Sequence, residues 1–131
     1  MFRFRLDGSS GVPPYLQLVH QVRQALLLGY LQEGDRLPTV KDVAADLVIN
    51  PNTVVKAYRQ LEHERLAGGR PGQGTFITAA AAPVRPEAQD LRDSLEAWLR
   101  AADEAGLDEE AVTALIAVAR RDLSKEKESA R

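Results

Sequence analysis

The chain has 131 residues, 44% hydrophobic and 27% charged, which suits one ordinary domain or a small domain with an appendage and excludes an unfolded polar chain. It has no cysteine, which excludes disulfides and thiolate metal sites and fits a cytoplasmic protein. The net charge of -2 is unevenly spread: residues 1–78 hold nine Lys/Arg against seven Asp/Glu, and residues 79–131 hold eight against twelve, as in a basic contact module on an acidic partner module.

The opening MFRFRLDG lacks the apolar core of a signal peptide, and Ala79–Pro83 is too short to span a bilayer, so no membrane partner is expected. Phe2, Phe4 and Leu6 alternate with Arg3 and Arg5, a period of two that predicts a short strand or extended arm. Pro13-Pro14 suits a helix start, and Tyr15, Leu18, Val19, Val22 and Leu26 then share one face. Residues 29–34 end that helix, with Leu31 and Leu37 as core plugs. A second helix starts at Pro38-Thr39, with Thr39 and Asp42 spaced as a capping-box pair and Val43 and Leu47 inward. Ala44 and Ala45 are small enough for close helix approach. Val48-Ile49 makes the turn. Asn50 caps a third helix, Pro51 takes its first position, and Val54, Ala57, Tyr58 and Leu61 form its buried stripe.

Residues 68–74 read as a Gly-rich loop before the β-prone Thr75–Thr78, together a hairpin with a Gly-rich tip. Residues 79–86 read as a linker. A fourth helix carries Leu91, Leu95, Trp98 and Ala102 on one side and ends at Gly106. Asp108 caps a fifth, with Val112, Leu115, Ile116, Ala119 and Leu123 inward, and the charged tail from Lys125 is expected to fray. The expected fold is mainly α with a small β-hairpin: a winged helix-turn-helix domain over 1–78, a linker over 79–86, and a two-helix dimerisation segment over 87–131.

A helix with a buried back and a polar front, held by a helix before it, is the device that carries side chains into the major groove. The recognition helix is expected over 51–62. Asn52 and Thr53 sit at its start and Lys56 one turn on; Asn pairs with adenine, Thr offers a methyl to thymine, and Lys reaches guanine or phosphate. Lys41, near the start of the preceding helix, is placed to hold a phosphate. Arg70 and Gln73 at the hairpin tip face the minor groove or a phosphate. Arg59 and Gln60 read equally well as solvated surface.

The stretch LPTVKDVAADLVINPNTVVKAYRQLE, followed by GQGTFI, resembles the N-terminal domain of GntR-type bacterial transcription regulators. PPYLQLVHQVRQALLLGYLQEGDRLP fits that family's first helix, and NPNTVVKAY with a short C-terminal part is most similar to the YtrA-like subfamily. The resemblance covers about residues 12–78. It implies DNA contacts at or beside Lys41, Asn50, Asn52, Thr53 and Lys56, and a wing including Gly72 and Gln73. Two features depart from the family pattern. Lys41 stands where arginine is frequent, which removes the bidentate fork. LAGGRPGQG has Ala and Gly where a bulkier apolar residue packs, so a loose wing is expected.

The last two helices cannot bury both apolar stripes alone. Pairing with a second copy makes a four-helix arrangement, with Leu91, Leu95, Trp98, Val112, Leu115, Ile116 and Ala119 in the interface and Trp98 as anchor. Such a homodimer sets two recognition helices about 34 Å apart and reads an inverted repeat. Relatives with large C-terminal domains bind a small-molecule effector there. The short C-terminal part here leaves only the dimer interface or the linker for one, and no residue identifies it or any cofactor.

Enzyme chemistry is not visible. His20 and His63 each stand alone on a helix. GGRPGQGT lacks the Lys-Ser/Thr of a phosphate-binding loop. Glu109-Glu110 and Asp103-Glu104 are helix-surface acids. The reading is therefore a dimeric, cytoplasmic regulator of transcription, a repressor, with an inverted-repeat DNA operator as partner. The rivals are a winged-helix protein-interaction module and a DNA-binding fragment of a regulator fused to an aminotransferase-like domain. The charged Ser124–Arg131 tail reads as a natural end and counts against the fragment.

Overall fold

The structure, a computed structural model, describes residues 2–82 and 85–130. The chain divides into two compact units, residues 1–84 and 85–131. The first contains α1 (Pro14–Leu27), α2 (Val40–Leu47), α3 (Pro51–His63) and a hairpin of β1 (Ala67–Arg70) and β2 (Gly74–Ile77). Leu18, Val19 and Val22 of α1, Val43 of α2, and Val54, Ala57 and Leu61 of α3 meet in one core with Leu31, Leu37 and Ile77. These are the apolar stripes that the helical period predicts. Ala44 is buried as expected, whereas Ala45 faces solvent and allows no helix approach.

Local capping chemistry sets the helix-turn-helix. The Thr39 hydroxyl accepts from the Asp42 N–H at 3.1 Å, which is one half of the expected pair. The Asn50 side chain accepts from the Asn52 N–H at 2.9 Å, with Pro51 in the first helical position. Between the helices Val48 takes a left-handed conformation (φ 53, ψ 55), with its N–H bonded to the Ala44 carbonyl. A β-branched residue is strained there, by about 1–2 kcal/mol. Its side chain is 89% exposed, so no burial offsets that strain. Val48→Asn should therefore raise stability by about 1 kcal/mol, read as a higher urea midpoint with unchanged slope.

Residues 2–6 form the extended arm, without strand pairing. Phe4 is buried, with the Phe2 ring edge-on at 4.9 Å. Two glutamines one turn apart on α1 clasp the arm as a neighbouring strand would. Gln21 accepts from the Arg5 N–H at 2.9 Å and donates to the Arg5 carbonyl at 2.6 Å. Gln17 does the same for Asp7, at 2.8 and 2.9 Å. A side-chain amide carries donor and acceptor together and so satisfies an extended backbone without a sheet.

The wing differs from the sequence expectation in two ways. Residues 68–70, expected as loop, are paired strand: Ala67 faces Ile77 and Arg70 faces Gly74, and the turn closes with the Gln73 N–H on the Arg70 carbonyl at 2.9 Å. The other edge of β2 is also covered. The Gly34 N–H donates to the Ile77 carbonyl at 2.8 Å, the Ile77 N–H to Asp35 at 2.8 Å, and the Leu37 N–H to Thr75 at 2.9 Å, with Arg36 bridging Phe76. The wing is therefore not loose. Small residues suit it: Ala67 is buried, and a Cβ at Gly68 would stand 3.3 Å from the Thr78 methyl.

Residues 79–82, expected as linker, lie on the first unit. Ala79 and Ala81 pack against its core, and the Ala82 N–H donates to the Leu26 carbonyl at 3.1 Å. Alanine methyls are small enough to bring the backbone within bonding distance. Pro83 and Val84 of the expected linker lie outside the described residues, and helix begins at Pro86.

The second unit consists of α4 (Pro86–Glu104) and α5 (Glu109–Ser129). Asp108 caps α5, accepting from the Ala111 N–H at 2.8 Å. The segment from Lys125, expected to fray, stays helical to Ser129. Ala102 is the one fully buried residue of this unit among the described residues. Leu91, Leu95, Trp98, Leu115 and Leu123 are exposed, as is Ala119, while Val112 and Ile116 are half-buried. None of the described helices is long and apolar enough to cross a membrane.

Candidate nucleic-acid interface

Helix α3 has two faces because its apolar residues recur at helical spacing. Val54, Ala57 and Leu61 are wholly buried against α1 and α2, which leaves the opposite side to solvent. Asn52, Val55, Lys56, Arg59, Gln60 and His63 line a shallow open depression along that front. Tyr58 anchors the helix from behind, its hydroxyl donating to the Pro38 carbonyl. Burial pushes that phenol well above its ordinary range, so it stays a neutral donor.

The sequence-predicted residues fall into different situations. Asn52 is exposed at the second position of α3 with its side chain outward, and Thr53 beside it is half-buried. Lys41 is exposed at the second position of α2. The Asn50 oxygen is engaged in its cap, which leaves the amide nitrogen and one oxygen lone pair for another partner. Lys56 lies with its Nζ 4.1 Å from the Tyr15 ring centroid, a cation–π contact between α3 and the first turn of α1. Tyr15 therefore positions Lys56, a role that an apolar face on α1 does not announce. At the wing, Gly72 supplies a left-handed turn residue (φ 73), Gln73 is exposed, and the Arg70 guanidinium stacks 4.2 Å from the Phe76 ring centroid.

The far end of the front is fixed by a polar cluster. Arg23 of α1 donates through Nε to Glu64 at 3.0 Å, and Gln60 donates to the other Glu64 oxygen at 3.0 Å. The hydrogen bond from Arg23, then that from Gln60, holds the Glu64 carboxyl below its usual range. Gln60 is thus part of the scaffold rather than solvated surface, and the Glu64 carboxylate is matched by a guanidinium, while Glu62 in the last turn of α3 is exposed. Arg59 remains exposed. His63 is exposed at the end of α3 and His20 half-buried on α1.

In all, a polar helix front, an exposed lysine on the preceding helix and a wing with an exposed tip belong to one compact unit. Comparison with known proteins agrees. Residues 14–77 match the family described as bacterial regulatory proteins, gntR family. The chain is 39% identical over 77 residues to the HTH-type transcriptional repressor YtrA of Bacillus subtilis (strain 168), covering 59% of each protein. It is 37% identical over 103 residues to the HTH-type transcriptional regulator YhcF of the same organism, covering 77% of this chain and 84% of that one. A crystal structure of a transcriptional antiterminator from Listeria monocytogenes EGD-e superposes with TM-score 0.58 at 28% identity, over 92% of both chains. The chain belongs to the GntR family of bacterial regulatory proteins, among its YtrA-like members, as a winged helix-turn-helix transcription regulator of the DNA-binding kind.

Proposed function

We propose that this chain is a cytoplasmic repressor that binds an inverted-repeat operator as a homodimer. The observation that carries this reading is the outward front of α3, where Asn52 and Thr53 stand at the helix start with Lys56 one turn on, beside a well-bonded wing. Asn52 and Thr53 read base edges. Lys41, Lys56 and the wing residues Arg70, Gly72 and Gln73 hold the backbone and set the register. Asn50 fixes the angle at which the helix enters the groove.

The second unit supports the dimer. A helical pair whose described residues bury one alanine lacks a core of its own, and a second copy provides matching apolar surface. Leu91, Leu95, Trp98, Val112, Leu115, Ile116 and Ala119 are the residues assigned to that contact. Repression is the activity attributed to YtrA of Bacillus subtilis, of which this chain spans 59%. A binding protein that covers its operator excludes polymerase without further machinery.

The test is a fluorescence anisotropy titration with the chain's own promoter DNA against a scrambled duplex. Asn52→Ala is expected to cost about 1–3 kcal/mol at the matching base and to relax discrimination there. Lys41→Ala should weaken both duplexes alike. Salt-sensitive binding of the unaltered chain with no preference for the promoter would refute the specific-regulator reading.

A further inference from the structure

We infer that Arg36 contacts DNA, forming with Arg70 a two-guanidinium clamp for a backbone phosphate on the outward face of the wing. The inference rests on the DNA-binding reading above. Three observations put both side chains on one face. Arg70 pairs with Gly74 and Arg36 with Phe76, and directly opposed residues share a sheet face. The Arg70 guanidinium lies 4.2 Å from the Phe76 ring centroid. A Cβ at Gly74 would stand 3.0 Å from Nε and 3.3 Å from a terminal nitrogen of Arg36, so that guanidinium lies across the glycine. Ala67 and Ile77, buried residues of the same ladder, alternate to the opposite side.

The patch is built rather than incidental. Gly74 leaves the room that Arg36 occupies, and Phe76 gives Arg70 a flat surface to rest on. Both arginines are exposed, and among the described residues neither makes an ion pair. Two like charges gathered on one small face repel each other until an anion joins them. Planar guanidinium forks suit the oxygens of a phosphodiester. The position suits a nucleic-acid backbone too. The patch adjoins the wing tip, and the chain runs from Arg36 through Leu37–Thr39 directly into α2, where Lys41 stands. Arg36 lies outside the hairpin itself, so the wing motif alone does not point to it.

The experiment measures binding of the full chain to its promoter duplex and to a scrambled duplex across a range of salt concentrations. Arg36→Ala should weaken both duplexes by the same factor, about tenfold, and lower the slope of log affinity on log salt by about one per head. Arg36→Lys should keep that slope, because the charge is retained. Thermal unfolding of R36A should match the unaltered protein, since the ladder bonds there are made by backbone. Unchanged affinity and slope for R36A overturn the clamp. A loss confined to the promoter duplex also overturns it, because it assigns Arg36 to a base. Asn52→Ala run in parallel separates the two readings. If N52A relaxes discrimination while R36A is silent, the clamp fails and the regulator stands. If the unaltered chain binds neither duplex, the underlying reading fails.

Discussion

Glutamate at both Leu95 and Trp98 is expected to make the protein monomeric and to weaken operator binding by about two to four orders of magnitude. The two residues lie a turn apart on α4, exposed at 49% and 39%, with Leu91 at 70% one turn earlier. In a dimer these side chains leave water. Charged replacements would be buried without partners, a cost of several kcal/mol that no rearrangement of a two-helix segment removes. The loss in DNA binding is indirect. Two linked heads turn the second half-site contact into an intramolecular event, so separating them forfeits the avidity and leaves single-head affinity. Sedimentation equilibrium reads the first effect and anisotropy the second. A dimer that survives both glutamates would assign association to another surface. Far-ultraviolet circular dichroism should still show the three helices of the first unit, because its core contains neither residue.

Leu61→Ala should destabilise the first unit by about 2–5 kcal/mol. Leu61 is wholly buried on α3, in the cluster that joins Leu18 and Val22 of α1 to Ile77 of the wing. Removing its side chain leaves a void where the recognition helix, α1 and the hairpin meet. A 1 kcal/mol loss shifts the midpoint of a domain of this size by about 4–8 °C, so the thermal midpoint should fall by about 10 °C or more. The residue is on the opposite side of α3 from Asn52 and Lys56, so sequence preference at low temperature should be retained while the folded fraction falls. A shift below about 1 kcal/mol would mean that the reading helix is not fixed by this core.

The helices were legible because their signals are local. The stripe from Val54 to Leu61 and the caps at Thr39, Asn50 and Asp108 each depend on residues within a turn or two, and the structure shows these elements. The front of α3 was legible for the same reason, as the complement of its stripe. Features made by residues far apart were not. The clasp of Gln17 and Gln21 on the arm requires knowing that α1 lies beside residues 5–7. The cover on the outer edge of β2 is three backbone bonds between residues 34–37 and Thr75 and Ile77, and backbone bonds leave no mark on side-chain pattern. Glycines 68 and 69 suggested loop because their permissiveness is intrinsic, yet the ladder on both sides of β2 overrides it. Lys56 presents itself as a free groove-reading cation until Tyr15 is found beneath it. At the candidate site, then, residue types were readable, and which of them are already engaged was not.

The proposed homodimer sets two reading heads on one symmetric operator. Hydroxyl-radical footprinting of the full chain on its own upstream DNA tests it most directly. A homodimer should give two protected patches of equal depth, one helical turn or about 34 Å apart, centred on an inverted repeat and lost together in the Leu95/Trp98 glutamate variant. A single patch, or protection that spreads along the duplex without a boundary, would contradict it.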